Sequence, residues 1–385
     1  MLGSSITLTV RLGKQKTAPA PGVLIDAIQS VEVTQRDRGR AAFQIVFQVG
    51  RSGSLDLKDY QLVKDPLLSS GNRLILIVTL QAKAHLLMDG IITHQQLSPS
   101  LEPGASTFTI TGEDITVMMD RKKHAVEHPV QDPKVIVEQI LEQYRSTYGV
   151  IPRVISPPKG VNAPSANEQT PVKHGSDLRH ILYLANRYGY VFYVSPGPQL
   201  EKNTAYWGPP KKRGGTQSQK ALSFNLGSYT NVDSISLQHN ARSPTKVFGR
   251  VQDRKTNQIQ SFSIDSSDEE RAFLSKTLSL NNKDAVQEVQ YMDSGHTLME
   301  SRIRAQAITN QSVDHAVQIT GDLDTARYGD MLQIRELVGL RGVGDRYNGL
   351  YYVQQVTHKL RNGEYKQSFT ITREGLDSTV DRLMV

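Results

Sequence analysis

The 385-residue chain has no cysteine. That absence removes disulfides, thiol nucleophiles and every zinc or iron-sulfur site built on thiolates. It also leaves the compartment open, because a chain without thiols is indifferent to redox conditions. Long apolar runs are missing as well, and no window approaches the roughly eighteen apolar residues that a membrane-crossing helix needs. The opening stretch Met1–Lys14 lacks the basic-then-apolar pattern of a secretion signal. Neither a membrane span nor a signal is therefore expected. The net charge is +7, but the basic residues are scattered. Only Arg121-Lys122-Lys123 and Lys211-Lys212-Arg213 form runs, and the second lies in a loop of prolines and glycines. With no helix or aromatic platform beside them, these runs read as solvated loops, and no specific nucleic-acid contact is expected.

A chain of this length exceeds what one hydrophobic core usually holds, so more than one domain is expected. Residues 1–118 read as β. Phe43, Ile45, Phe47 and Val49 alternate with Gln44 and Gln48, and Leu74 to Leu80 is a nearly continuous apolar strand. Several short strands, closely spaced and without helices, suggest a small barrel. Residues 119–220 read as a mixed α/β block. Asp132 and Pro133 open a helix whose stripe is Val135, Ile136, Ile140, Leu141 and Tyr144, and Gly149 closes it. Residues 156–170 are rich in proline and asparagine and are expected as an exposed loop.

From residue 221 the β pattern returns, giving a second barrel-like domain over 221–375 with two short helices, near 268–276 and 295–310. Ser267 and Glu270 suggest a capping box for the first. Strands are expected at 316–321, 331–336, 350–359 and 365–373, the last two joined at Asn362-Gly363, a strong hairpin signal. Residues 376–385 read as a C-terminal tail. The fold class is mainly β with an α/β insert between two small β-barrel domains.

One unit in the middle block has a distinctive order. Ser176 caps a helix carrying Leu178, Ile181, Leu182 and Ala185, Gly189 ends it, Tyr190 to Val194 form an aromatic and β-branched strand, and Pro196-Gly197-Pro198 turns the chain toward Trp207-Gly208. With Ser176, Asp177, Leu184, Ala185, Gly189 and Tyr190 in these places, it resembles the phage late control protein D family. These are the baseplate hub proteins of contractile injection systems, related to the hub half of VgrG-like proteins. Three further segments are similar to that family in the same order. They are 107–121 with Gly112 and Asp114, 222–253, and 321–375 with Tyr328-Gly329-Asp330, Gly349, Tyr351, Val353, His358, Arg373 and Gly375. The likeness covers most of residues 100–375.

The resemblance implies a structural role and no enzyme, catalytic residue, metal or cofactor. It implies a homotrimeric ring in which each chain supplies two similar barrels, so that six barrels meet an inner tail tube protein and three equivalent surfaces meet a spike. Wedge and tape-measure proteins are further implied partners. The chain stops ten residues beyond Gly375, leaving no room for the OB domain and needle of VgrG, so the spike is expected as a separate chain. Such a particle would assemble in the bacterial cytoplasm.

The rival chemistry is His124-Ala125-Val126-Glu127-His128, a literal H-x-x-E-H. On a helix both histidines would share one face, hold zinc and leave Glu127 as the general base of a hydrolase. Pro129 biases His128 away from helix and the flank is basic rather than apolar, so a solvated connector is expected instead. Asp322, Asp324 and Asp330 lack the regular ligand spacing of a calcium loop and read as turn residues. Gly339 to Gly344 lacks the Lys-Ser/Thr ending of a phosphate loop. His358 reads as a packed strand residue, and the tyrosines at 183, 188, 190, 193, 351 and 352 as core or interface.

Overall fold

The computed structural model describes residues 6–50, 60–102, 104–128, 130–158, 172–173, 175–210, 217–267, 272–282, 284–292 and 295–380. The first β region runs β1 (Thr7–Gly13), β2 (Ala18–Pro19), α1 (Gly22–Asp26), β3 (Ile28–Arg36), β4 (Ala42–Gln48), β5 (Arg73–Leu80), β6 (Lys83–Ser98), β7 (Thr107–Asp114) and α2 (Thr116–Met119). The middle block holds β8 (Val126–Glu127), α3 (Pro133–Glu142), α4 (Arg145–Tyr148), β9 (Val150–Val154), β10 (Val172–Lys173), α5 (Asp177–Arg187), β11 (Val191–Pro196) and β12 (Asn203–Gly208). The last region contains β13 (Leu222–Ser223), β14 (Val232–His239), β15 (Thr245–Gln252), β16 (Ile259–Ile264), β17 (Ser275–Leu278), β18 (Gln287–Tyr291), α6 (Leu298–Asp314), β19 (Val317–Asp324), α7 (Thr325–Tyr328), β20 (Leu337–Arg341), β21 (Gly349–Arg361), β22 (Glu364–Arg373) and β23 (Gly375–Ser378).

One sheet crosses both β regions in the order β14-β19-β22-β21-β3-β4-β7-β6-β5-β1-β2, with β20 and β13 added beside β21. It is rolled rather than flat. Val10 and Leu12 of β1 share a core with Val31 and Val33 of β3, although β1 and β3 stand at opposite ends of a six-strand path. Leu222 of β13 and Val232 of β14 likewise share the second core, with Ile319, Val338, Val353, Phe369 and Ile371. Alternation explains the choice of face: Phe43, Ile45 and Phe47 are buried while Gln44 and Gln48 are exposed. Each such apolar side chain contributes about 1.5–3 kcal/mol on burial, so the register that buries all of them prevails.

The two β regions repeat one unit in one chain order. β3, β4, β5, β6 and β7 correspond to β14, β19, β20, β21 and β22, and α1 corresponds to the helical turn Gly227–Tyr229; β1 and β13 take the same place beside β5 and β20 but differ in direction, β1 antiparallel to β5 and β13 parallel to β20. The bulges fix the correspondence. In the β3–β4 ladder the register shifts between Ile28 and Ser30, and in β14–β19 between Val232 and Ser234. In β6–β7 it shifts between Ile92 and His94, and in β21–β22 between Val353 and Gln355. A bulge inserts one residue at a set point and bends the strand there, so two bulges in matching places define the same curvature twice.

Aligned through these bulges, Val33 falls on Leu237, Phe43 on Ile319, Ile45 on Gly321, Ile110 on Phe369 and Gly112 on Ile371. The packing is conserved by exchange. Phe43 lies opposite Gly112 beside an Ile45–Ile110 pair, whereas Phe369 lies opposite Gly321 beside an Ile319–Ile371 pair. A Cβ on Gly112 would come within 2.4 Å of the Phe43 ring, and one on Gly321 within 2.6 Å of the Phe369 ring. Each unit thus fills the same volume with one Phe–Gly and one Ile–Ile pair in swapped positions.

The middle block has its own core. Helices α3 and α5 and the sheet β11-β12-β9 enclose Ile136, Ile140, Ile181, Leu184, Phe192 and Trp207. Trp207 is fully buried, donates its indole N–H to the Ile181 carbonyl at 3.3 Å, and meets Tyr190 edge-on with ring centroids 4.8 Å apart. A buried ion pair joins this block to the first β region: Arg73 holds Asp89 at 2.6 Å, and Asn203 Nδ2 donates to the same carboxylate at 2.8 Å. Between β14 and β19 the second unit carries an extra layer, the sheet β16-β15-β18 with α6 packed on Val247, Val251, Phe262 and Tyr291.

Several sequence expectations shift. The strand expected at 331–336 appears later, as β20, because Arg335 takes a left-handed backbone (φ 66°) and interrupts the extended chain. The helix expected near 268–276 is contradicted at its end, where Ser275–Leu278 is a strand paired with β23, while 268–271 lie outside the described residues. The Glu270 half of the expected capping box lies outside the described residues, and a capping box is present at Thr297 and Glu300, which open α6. Residues 375–378, partly expected as tail, form β23. The exposed loop expected at 156–170 is described only to residue 158.

Where the two units join, the polar side chain of His358 is buried. Its Nδ1 lies 2.8 Å from the Tyr365 hydroxyl and 3.3 Å from Gln367 Nε2. Burial, with a small addition from His85, pushes its pKa down from 6.5 to about 3. The unfolded chain therefore takes up a proton at this site below about pH 6.5 and the folded chain does so only below about 3, so stability falls as pH drops through that window. Urea titrations at pH 7 and pH 5 should show the parent losing about 2 kcal/mol more than a His358→Gln variant. Equal losses would mean that another group carries the acid sensitivity.

Candidate functional site

The His124–His128 segment is not helical. Val126 and Glu127 form β8, which pairs with Val172 and Lys173 of β10. His124 Nε2 lies 3.0 Å from Lys173 Nζ. His128 is buried, with Nδ1 3.2 Å from Gln131 Oε1 and its ring stacked 6.0 Å from that of His180. Glu127 is exposed. The two imidazoles thus face different partners, and one of them faces an ammonium group. Among the described residues no three His, Asp or Glu side chains gather in a way that holds a metal ion.

A denser cluster lies beside this ribbon, at the start of α5. Ser176 caps the helix by accepting from the Arg179 N–H at 3.3 Å, and donates its hydroxyl to Asp120. That donation, followed by the nearby Arg40, holds the Asp120 carboxyl below the usual range. Lys173 and Asp177 form an ion pair with both side chains buried, and Tyr144 donates to Asp177 at 2.6 Å. Burial, then that bond to Asp177, raises the Tyr144 pKa. Arg40 reaches from the turn between β3 and β4 to both Glu113 and Asp120. The cluster is a clamp: it ties the β8–β10 ribbon, the end of α3 and the first β region to the N-terminus of α5. It contains no serine or lysine aimed at open space.

The remaining sequence candidates are structural too. Asp322 accepts from Ser234 and Ser368 across neighbouring strands, and these bonds, Ser368 first, lower its pKa. Asp324 caps α7, and Asp330 accepts from the Met331 N–H. Gly342 and Gly344 take left-handed turns after β20. Tyr188, Tyr190, Tyr193, Tyr351 and Tyr352 are buried, whereas Tyr183 is 48% exposed. Arg121, Lys122 and Lys123 are exposed, and Lys211–Arg213 lie outside the described residues.

The sequence did not reveal the surface features with the clearest geometry. One is the face of the sheet turned away from the cores. It carries Thr109 and Thr111 of β7, Gln44 of β4, Thr34 of β3 and Thr370 of β22, with Thr34 and Thr357 hydroxyls 3.1 Å apart at the centre, and among them stand charges of both signs, Glu32, Glu113, Asp322, Lys359 and Lys366. The other is the pair of open edges. β14 pairs only with β19, and beyond Ile91 β6 has β7 on one side and no strand on the other among the described residues.

No protein-family model matches this chain, and no curated protein matches it. Solved structures do. The chain is similar to a tail protein from Neisseria meningitidis MC58, with 12% identity, a TM-score of 0.62, and coverage of 96% of this chain and 97% of that one. It is also similar to the 43 kDa tail protein of prophage MuSo2 from Shewanella oneidensis, with 11% identity, a TM-score of 0.65, and coverage of 97% and 100%. A third similar structure is the E. coli c3393 protein, described as a component of the type VI secretion system with structural similarity to the T4 tail proteins gp27 and gp5. There the identity is 12%, the TM-score 0.52, and the coverage 93% and 75%. This chain therefore has the fold of phage tail and type VI secretion proteins.

The clamp and the H-x-x-E-H segment separate in denaturation experiments. Lys173→Ala leaves Asp177 buried without its partner and should cost about 3–5 kcal/mol. Glu127→Gln, on an exposed ribbon, should stay within about 0.5 kcal/mol and leave the metal content of the purified chain unchanged.

Proposed function

We propose that this chain is a structural hub subunit of a phage tail-like baseplate. Three copies form a ring that adapts a sixfold tail tube to a threefold spike. The observation that carries the proposal is the tandem repeat: two units of one chain order, with bulges at the same two places. Three chains of this kind present six equivalent units, which is what a sixfold inner tube protein requires. The parts that occur once per chain, the middle block and the layer formed by β15, β16, β18 and α6, then present three equivalent surfaces. Those match a separate threefold spike chain, with baseplate wedge and tape-measure proteins as neighbours.

The polar face of the sheet suits the inner wall of such a ring. Threonine and glutamine offer short hydrogen-bonding groups, and the charges among them are of both signs, as in the Lys359–Asp322 pair, so neither sign dominates the field that a passing chain meets. The fold shared with tail and type VI secretion proteins supports the same reading, and the particle would assemble in the bacterial cytoplasm. The role is structural, and no residue is given a catalytic or cofactor-binding part.

Light scattering of the purified chain should give a mass near 3 × 42.8 kDa. A stable monomer at all concentrations would count against the ring.

A further inference from the structure

The chain contains the step Asn-Gly twice, at Asn348-Gly349 and at Asn362-Gly363. Such a step is open to a spontaneous reaction that needs only water. The backbone nitrogen of the glycine, once it has lost its proton to base, attacks Cγ of the asparagine side chain. A C–N bond forms, the side-chain amide nitrogen takes up a proton and leaves as ammonia, and a five-membered succinimide remains. Water then opens the ring at one of its two carbonyls. One opening gives aspartate, and the other gives isoaspartate, in which the main chain runs through the side-chain carbon. Glycine favours the attack because it has no Cβ beside the nitrogen and leaves the backbone free to turn. A fold can permit or forbid the rotation that brings this nitrogen onto Cγ, and the two steps are held differently.

Asn348-Gly349 is pinned. The Asn348 side-chain oxygen accepts from the Val343 N–H at 3.1 Å, and the Asn348 N–H donates to the Gly344 carbonyl at 2.9 Å. The Asn348 carbonyl accepts at 3.0 Å from Nη1 of Arg373, which is fully buried. Gly349 is buried and pairs with Leu340 in the β20–β21 ladder, and a Cβ placed on it would come within 2.6 Å of the same guanidinium. Turning this peptide toward Cγ breaks the bonds to Val343 and Arg373 together. Asn362-Gly363 is the two-residue loop between Arg361 and Glu364, which pair with each other, and all four residues are exposed. Among the described residues, neither the Asn362 side chain nor the Gly363 N–H has a hydrogen-bond partner.

We infer that Asn362 is a modification site, converting spontaneously to aspartate and isoaspartate in the folded protein, while Asn348 is protected by the bonds around it. The product acts on the ladder that joins the two units. Isoaspartate adds one carbon to the main chain of a loop whose two-residue length sets the β21–β22 register. Either product adds a carboxylate to a cleft lined by Asp26, Asp324 and Glu364, with Arg361 as the one cation among the described lining residues. Arg361 is also the last residue of β21 to pair with β3, against Ser30. The hairpin tip and that end of the β3–β21 ladder therefore loosen as the protein ages.

The test compares the two sites within one chain. The purified chain is held in warm, mildly alkaline buffer, folded in one sample and unfolded in concentrated urea in another. Peptide mass spectra follow the change from amide to carboxyl at each site, and isoaspartate methyltransferase labelling identifies the isoaspartate. In urea the two sites should convert at similar rates. In the folded chain Asn362 should convert at least about tenfold faster than Asn348, because rotation at Asn348 gives up more than one hydrogen bond, each worth up to about that factor. Hydrogen exchange at residues 360–365 should then rise in the aged parent and stay unchanged in an aged Asn362→Gln variant, whose longer side chain closes no five-membered ring. Equal rates in the folded chain, or no conversion at Asn362, would overturn the site. A rate ratio as large in urea as in the folded chain would overturn the protection given to Asn348, and conversion without a rise in exchange would overturn the effect on the ladder.

Discussion

The architecture depends on the seam between β3 and β21. Every other strand of the large sheet is anchored, directly or through its neighbours, to this one antiparallel ladder between residues more than 300 positions apart in the chain. The Thr34 and Thr357 hydroxyls meet at its midpoint, and Leu360, Tyr365 and Met331 from the second unit are built into the core of the first. Pairing that spans such a separation carries a large loop-closure cost, and the apolar burial along the seam has to offset it. His358, kept neutral by burial, lies on the same seam, so acid conditions act on the joint as well as on the local core.

The repeat explains why the seam can be strong without making the units identical. A unit is defined by strand order and bulge positions, and the interior can be refilled as long as volume is kept. The exchange of Phe43–Gly112 for Gly321–Phe369 is that refilling made visible. Freed from sequence identity, the second unit accepts an inserted layer between β14 and β19, where the first has only a short turn. The middle block is held in place differently, by the buried Arg73–Asp89 pair and by the cation–π contact of Arg335 over Tyr193 at 3.5 Å. These fixed charges in low dielectric orient the block more than they stabilise it.

Much of the local fold was legible in the residues. Alternation in β4, the apolar run of β5, the Asp132 and Ser176 caps and the Asn362-Gly363 turn all act within a few positions, and each forms as expected. Signals that depend on context failed. The helix expected near 268–276 gives way at its end, where Ser275–Leu278 is drawn into a strand by β23 and by Glu374, which accepts from the Ser275 N–H. The β-prone stretch 331–336 is broken by a single left-handed residue. The H-x-x-E-H pattern required a helix that Pro129 and the β8–β10 pairing do not permit. That two similar units recur entered only through the family resemblance, and their residue correspondence and the open edges were not legible, because Val33 and Leu237, or Phe43 and Ile319, correspond only through bulges that no local pattern marks.

The central claim is that two equivalent units per chain build one ring of six. Electron microscopy of the purified chain tests it most directly. The account predicts end-on views with six similar lobes around a threefold axis and an open centre, and side views with once-per-chain features on one rim. A compact two-lobed particle, an open filament, or a closed ring with any other number of lobes would contradict it.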